Sequence, residues 1–420
     1  MNDRTHVLLI AETCNPQWSS VALVAYYWYS ALCKYADVTL VTQIRNRPGF
    51  VDAGVDTRNV VFLDSEPVAA RLHKLGRMLT LGHPTALGTR TLLHWPAYLY
   101  FERLLWAKFR RDIQQRRYDC VHRITPLSPV FPSPIAKRLP VPFILGPLNG
   151  ALPWPRKTWR MQWREGEVLG PLRQAYRLLP YVRSTYERAD LILTASKYVE
   201  DELPRRARAR CVRQPENGVD IHRFAPLDRR SPGMVDPFTI LFVGRLIPLK
   251  NPALIIEAVR RWGIEPHRVR VVFVGHGPEE QRLRQMVQHT PWEVRTEFRG
   301  WLPHDALPDL YRECSLLALP SIHESGGAVL LEAMACGLPS VVAHYGGPAE
   351  YISDNVGVRV PLGSLNAMVD GFAATFRRLH QDRASLDRLS TACVRRARER
   401  WAWDGHARRL VSLYNTLLKR

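Results

Sequence analysis

Short apolar runs rich in β-branched residues alternate along the chain with segments long enough for helices. That alternation predicts parallel α/β sheets. A first series of predicted strands covers Val7–Ala11, Val38–Val41, Val60–Leu63, Cys120–Ile124, Phe143–Leu145 and Leu191–Thr194. A second begins at Phe238–Gly244 and continues with Val269–Gly275, Cys314–Leu319, Ser340–Ala343 and Val356–Val360. Two series predict two doubly wound domains. Between about 217 and 237 the chain reads Asn217-Gly218-Val219-Asp220, then Pro226, then Ser231-Pro232-Gly233. Gly and Pro at that density mark a connector. The expected division is residues 1–225, residues 226–395, and a terminal segment 396–420. In that last segment Ala407, Leu410, Val411, Leu413, Tyr414 and Leu417 recur at helical spacing. They predict an amphipathic helix packing back toward the amino-terminal domain.

Composition narrows the class. The chain has 420 residues, 46% hydrophobic and 23% charged, ordinary for globular protein. With 25 Gly and 7 Cys it is neither collagen-like nor a disulfide scaffold. The cysteines are odd in number, scattered and free of C-x-x-C, which reads as reduced thiols in a cytosolic protein. The opening Val7–Ala11 run is too short for a signal-peptide core, and no stretch approaches bilayer-spanning length. The expected location is cytoplasmic, with any membrane contact peripheral.

Charge is the unusual property. The net is +20, with 33 Lys+Arg against 19 Asp+Glu in residues 1–225 and 26 against 20 in the remainder. Such a surface attracts phosphates, anionic lipid or nucleic acid. Residues 70–111 mix basic residues with Trp95, Tyr98, Tyr100, Phe101 and Trp106, and residues 154–164 interleave Trp with Arg. Interleaved Trp and Arg suit a bilayer interface, where rings sit at headgroup depth and guanidinium groups pair with lipid phosphate. The alternative is a half-buried helix with a solvated basic face. The basic residues are dispersed and carry no DNA- or RNA-reading motif, so a specific nucleic-acid partner is the remote reading.

The densest chemistry lies between Leu319 and Val342. Glu324-Ser325-Gly326-Gly327 follows a predicted strand and opens a predicted helix that carries Glu332. A helix amino-terminus presents N–H groups and partial positive charge, so Ser325, Gly326 and Gly327 can approach an anion. Eight residues along a helix is about 80° out of phase, so the two carboxylates would touch different parts of one extended ligand. A second element, Gly244-Arg245-Leu246-Ile247-Pro248-Leu249-Lys250, also follows a strand. Two cations there suit a diphosphate.

These residues carry a family resemblance. Glu324 to Glu332 resembles the Glu-x7-Glu region of the retaining GT-B glycosyltransferases of family 4, also called group 1. Gly244-Arg245 through Lys250 resembles that family's phosphate clamp. Gly275-His276-Gly277-Pro278-Glu279 resembles its G-x-G-x-E turn, and Asn217-Gly218-Val219-Asp220 with Phe224 its linker. The resemblance implies two Rossmann-like domains facing across a cleft, the first binding the acceptor and the second a nucleotide-sugar. It places Arg245 and Lys250 on the donor phosphates, with Ser325, Gly326 and Gly327 close by. It places Glu324 at the sugar as a catalytic residue, Glu332 on the ribose, and Gly275, Arg299 and Leu302 around the nucleotide. It also implies reaction with retention. No cofactor is implied, and a UDP-sugar is favoured over a GDP-sugar by family frequency. The chain contains no D-x-D, so no metal clamp is expected; the cations and the helix terminus would replace it.

The amino-terminal half departs from the family pattern. Where relatives carry a Gly-Gly loop after the first strand, this chain has Ser19 and Ser20. Of the family's His-x-His, only His122 remains, Ile124 standing in the second place. His122 is the second catalytic candidate, against a satisfied strand-end histidine. Asn149, in Gly146-Pro147-Leu148-Asn149-Gly150, joins Ser19 and Ser20 as a candidate acceptor contact. The leading expectation is a hexosyltransferase building a cell-surface polysaccharide or glycoconjugate on a lipid-linked or glycan acceptor. Its basic half would dock on anionic membrane. The alternative acceptor is a small soluble molecule.

Overall fold

The computed structural model describes residues 4–79, 87–150, 152–155, 180–226 and 231–419. The chain divides into two compact units. The first holds residues 1–153, 162–216 and 403–420; the second holds 154–161 and 217–402. The chain thus passes from one unit to the other at Glu216/Asn217, earlier than the expected 225/226. Residues 396–402 fall in the second unit, and only the helix Trp403–Leu418 returns to the first.

The first unit is built on a seven-stranded sheet. Its strands are β1 (His6–Ala11), β2 (Asp37–Gln43), β3 (Val60–Leu63), β4 (Cys120–Thr125), β5 (Phe143–Leu148), β6 (Leu191–Thr194) and β7 (Cys211–Arg213). Their order is β3-β2-β1-β4-β5-β6-β7, and every pairing is parallel. Strands covered on both faces read as unbroken apolar runs, and β1 shows why. Val7, Leu9 and Ala11 join one core with Trp28, Leu410 and Tyr414. Leu8 and Ile10 face a second core with Tyr98, Phe101 and Leu105.

That second core corrects part of the membrane expectation. Tyr98 and Phe101 lie fully buried on the helix Leu87–Gln114, and Trp95 and Trp106 pack partly buried against the same cluster. Arg103, Lys108, Arg110 and Arg111 stay exposed. Over this helix the rings are the core-facing stripe and the cations the solvated one. The stretch 156–164 lies outside the described residues. Among the described residues, no helix is long and apolar enough to cross a membrane.

The helix Trp403–Leu418 is held by spacing and by one buried bond. Trp403, His406, Ala407, Leu410 and Tyr414 face inward, and Trp403 meets Trp28 edge-on at 5.6 Å. The Tyr414 hydroxyl lies 2.6 Å from His122 Nδ1, while His122 Nε2 lies 2.6 Å from the Gly146 carbonyl. A carbonyl only accepts, so Nε2 carries the hydrogen and Nδ1 accepts from Tyr414. His122 is fully buried with both nitrogens engaged. This corrects the catalytic assignment: the side chain points into the core that receives the last helix, and it has no nitrogen left for a substrate.

The second unit has a six-stranded parallel sheet. Its strands are β8 (Phe238–Val243), β9 (Val269–Val274), β10 (Thr296–Phe298), β11 (Leu316–Leu319), β12 (Ser340–Ala343) and β13 (Gly357–Val360). The order is β10-β9-β8-β11-β12-β13. One apolar cluster runs through it, from Phe238 and Phe242 to Phe372 and Trp401. The two strands absent from the sequence reading, β7 and β10, are three-residue edge strands without an apolar run. Residues 217–226 form no loose connector: the Val219 N–H donates to the Trp401 carbonyl at 2.8 Å, beside the point where the chain leaves this unit.

Burial lowers the His122 pKa from 6.5 to about 4. The unfolded chain therefore binds a proton that the folded chain refuses. Stability should fall as pH drops from about 6.5 toward 4, by up to about 1.4 kcal/mol per pH unit from this group. Urea midpoints at pH 7 and pH 5 measure it, and His122→Gln should flatten that part of the slope. Tyr414→Phe should cost about 1–3 kcal/mol at pH 7 by leaving Nδ1 buried without its donor.

Candidate functional site

In a doubly wound sheet, ligands bind beyond the carboxyl ends of the strands where the strand order reverses. In the second unit that reversal lies between β8 and β11, which pair in parallel through Leu316–Ile240 and Leu317–Leu241. The loop after β8 is Gly244–Lys250, and the loop after β11 is Pro320–Gly327. The topology thus brings both sequence motifs to one crevice. The Ile322 N–H donates to the Leu249 carbonyl at 3.0 Å and fastens the loops together.

Lys250 Nζ and Glu324 Oε2 are 2.7 Å apart, with side chains 15% and 19% exposed. The pair is sheltered but remains accessible. Arg245 is exposed on the same loop. Glu324 is held from behind, since its carbonyl accepts the Gly347 N–H at 2.9 Å. His323, just before it, stacks on Trp154 with ring centroids 4.3 Å apart. Gly327 caps the helix Ala328–Ala335 in a left-handed conformation, φ 113°, that favours glycine. Ser325, Gly326 and Gly327 are all half-buried at this terminus.

The turn after β9 closes on the Gly244 loop. A Cβ on Gly275 would lie 2.1 Å from the Gly244 carbonyl oxygen, and its φ is 124°. No other residue type fits both constraints. The Leu246 N–H reaches the His276 carbonyl and the Gly275 N–H the Gly300 carbonyl, at 2.9 and 2.7 Å. The Trp301 N–H donates to His276 Nε2, so His276 Nδ1 carries the hydrogen toward Glu280. Trp301 is 69% exposed beside this turn. Arg299 pairs with Glu297 at 3.0 Å, and Leu302 packs against the core.

Glu332 lies inside the Ala328–Ala335 helix and is buried. Its Oε1 is 2.8 Å from His304 Nε2, and its Oε2 accepts from the Tyr311 hydroxyl at 3.0 Å. Burial, then the Glu332 charge, holds the Tyr311 pKa well above 10, so it remains a donor. The two carboxylates therefore have different settings, one paired with an accessible ammonium and one fixed by two neighbours.

The first unit has its own strand-order reversal, between β1 and β4. Glu12, directly after β1, is 2% exposed. Arg45 approaches its carboxylate at 2.5 Å, His94 at 3.4 Å, and the Thr13 hydroxyl donates at 2.7 Å. Burial alone would raise the Glu12 pKa; His94, Arg45 and Thr13 together hold it down at about 2. Ser19 and Ser20 are exposed on the following loop. Ser20 has φ 63° and ψ −133°, a conformation glycine adopts easily. Asn149 uses its amide inside the unit, donating to Glu216 at 2.5 Å and accepting from the Gly150 N–H at 2.6 Å.

Residues 226–399 match the family described as glycosyl transferases group 1. These residues make up most of the second unit. The D-inositol 3-phosphate glycosyltransferase of Streptomyces bingchenggensis is 33% identical over 244 residues, 54% of this chain and 52% of that protein. The enzyme of the same name from Kribbella flavida is 34% identical over 214 residues, 47% and 49% of the two chains. The chain thus spans about half the length of these curated relatives. Among solved structures, Anabaena HepE in complex with UDP aligns at TM-score 0.66 and 17% identity, covering 98% of this chain and 100% of that one. Sucrose-phosphate synthase from Thermosynechococcus elongatus aligns at 0.66 and 18%, covering 99% and 100%. The fold is GT-B.

Within the second unit, Gly244–Lys250, Gly275 and the Glu324–Gly327 loop are joined by direct contacts. Glu332 is fixed on the helix that this last loop opens. His304 and Tyr311 were missed by the sequence reading, because nothing in their spacing marks them as partners of Glu332. Glu12, Arg45 and His94 were missed for the same reason. Gly275→Ala should destabilise the second unit by about 1–3 kcal/mol, because it must both strain the backbone and displace the Gly244 loop. Urea unfolding followed by tryptophan fluorescence measures the loss; an unchanged midpoint would contradict the packing described.

Proposed function

We propose that this protein transfers a hexosyl unit from a nucleoside-diphosphate sugar to an acceptor hydroxyl with retention. The observation that carries the reading is the Lys250–Glu324 pair at the β8/β11 reversal, between an exposed Arg245 and a helix amino-terminus. A departing nucleoside diphosphate builds negative charge on its phosphate and positive charge on the sugar carbon. Arg245, Lys250 and the N–H groups near Ser325–Gly327 would stabilise the first charge. Glu324 would contact the sugar, and the resident Lys250 ion pair would be shared with the incoming phosphate. Glu332 would accept from the ribose hydroxyls, with Gly275, Arg299 and Leu302 near the base.

In the step itself the acceptor oxygen bonds to the anomeric carbon as the carbon–phosphate oxygen bond breaks. The acceptor proton passes to the departing phosphate oxygen. No protein base is required, in keeping with His122 being buried and fully bonded. A UDP-sugar is the favoured donor, supported by the fold neighbour that holds UDP.

Two acceptor readings follow from different observations. The +20 charge favours a lipid-linked acceptor at an anionic membrane. The curated relatives, named for D-inositol 3-phosphate, favour a small phosphorylated polyol.

UDP, GDP and their sugars should be compared by thermal shift, because a ligand that binds only the folded state raises the melting temperature. One nucleotide should stabilise the protein, and Lys250→Ala should remove most of that shift. Glu324→Ala should lower transfer by at least about 100-fold while leaving the fold intact. No shift with any nucleotide, or undiminished transfer by Glu324→Ala, would refute the assignment. Sedimentation with neutral and anionic vesicles, beside turnover of inositol 3-phosphate without lipid, separates the two acceptors.

A further inference from the structure

We propose that His304 is a positioning residue for the nucleotide: it aims the Glu332 carboxylate at the ribose. The proposal rests on the reading of Glu332 given above and extends it to a residue that no sequence motif marks. An ionised carboxylate has about four acceptor sites. The His304 Nε2–H takes one on Oε1 and the Tyr311 hydroxyl one on Oε2. The carboxylate is therefore gripped at both oxygens, its rotation is stopped, and acceptor capacity remains on each.

Tyr311 is fully buried and belongs to the core. His304 sits on a short turn, His304–Ala306, with its side chain 29% exposed, and needs support of its own. The support comes from the segment that enters this unit. The Phe224 ring lies 5.0 Å from the His304 ring and 6.2 Å from Tyr311. Arg223 pairs with Asp305, next in sequence to His304. The Arg312 Nε–H donates to the Ala225 carbonyl at 2.8 Å. Three successive residues, 223–225, thus hold the 304–312 segment in place. Phe224 backs His304, and His304 orients Glu332. The same contacts explain why an aromatic residue is useful at 224, since a ring can fill the gap behind the imidazole and leave Nε2 pointing at the carboxylate.

The readout is discrimination at the ribose. Dissociation constants would be measured by calorimetry for UDP and GDP, each against its 2′,3′-dideoxy analogue. The proteins are wild type, His304→Ala and His304→Gln, the last restoring an N–H near Nε2. The wild-type protein should prefer the hydroxylated form of its nucleotide. His304→Ala should weaken that form about 10-fold or more while leaving the dideoxy analogue within about twofold. His304→Gln should recover most of the preference and keep a melting temperature close to wild type. Equal loss toward both nucleotides in His304→Ala would overturn the proposal, because it would show a general disturbance of the site. So would a wild-type protein that binds its nucleotide without preferring the hydroxylated form, and in that case the donor reading would survive. Failure of the wild-type protein to bind any nucleoside diphosphate would instead remove the donor reading and this inference with it.

Discussion

The parallel pairing of β8 with β11 is the constraint on which the candidate site depends. β9 and β10 intervene in the chain, yet β11 returns to the opposite side of β8. Helical connections on the two sides of such a reversal diverge and leave a crevice at the carboxyl ends. Both motif loops begin at those ends. Their side chains are together because their strands are neighbours, and the Ile322–Leu249 bond keeps the loops in register. The Gly275 turn, from the next strand on the β9 side, then leaves no space between itself and Gly244. Ammonium, carboxylate and helix terminus are consequently held by backbone geometry as much as by side-chain attraction.

Burial decides what each acidic group can do. Glu324 is sheltered but reachable and has a single ammonium partner, so an incoming anion can compete for that partner. Glu332 is deeper, and two donors from distant segments fix its oxygens. Glu12 is deepest of the three in its setting, and its contacts with His94, Arg45 and Thr13 outweigh the cost of burial. The same residue type thus offers an exchangeable ion pair, an oriented acceptor and a permanently charged anchor. The proposed chemistry uses the first two.

The first unit shows how a familiar pattern can change its role. A histidine inside β4 resembles a catalytic group until its neighbours are known. Here the Tyr414 hydroxyl and the Gly146 carbonyl take both nitrogens, and burial favours the neutral ring. The residue ties the terminal helix to the sheet. Aromatic residues among arginines show the same ambiguity. In the helix Leu87–Gln114 the rings fill a core and the guanidinium groups face outward. Trp154 stacks on His323. Helical phase separates the two faces, and composition does not record phase.

The sequence by itself determined the two strand series and marked the loops of the candidate site. Strands buried on both faces must be unbroken apolar runs, so eleven of the strands and the two-series organisation were visible in the chain. Glycines beside charged residues after such runs announced the loops, because close backbone approach and left-handed φ exclude other residues. The three-residue edge strands β7 and β10 left no comparable trace. Nor did the partners of Glu332, Glu12 and His122, which come from distant segments and are ordinary in their own local context. Only the tertiary structure could bring His304 to Glu332, Arg45 to Glu12 and Tyr414 to His122. A hydrogen bond between side chains far apart in sequence imposes no periodicity on either segment; it becomes definite only when packing fixes both.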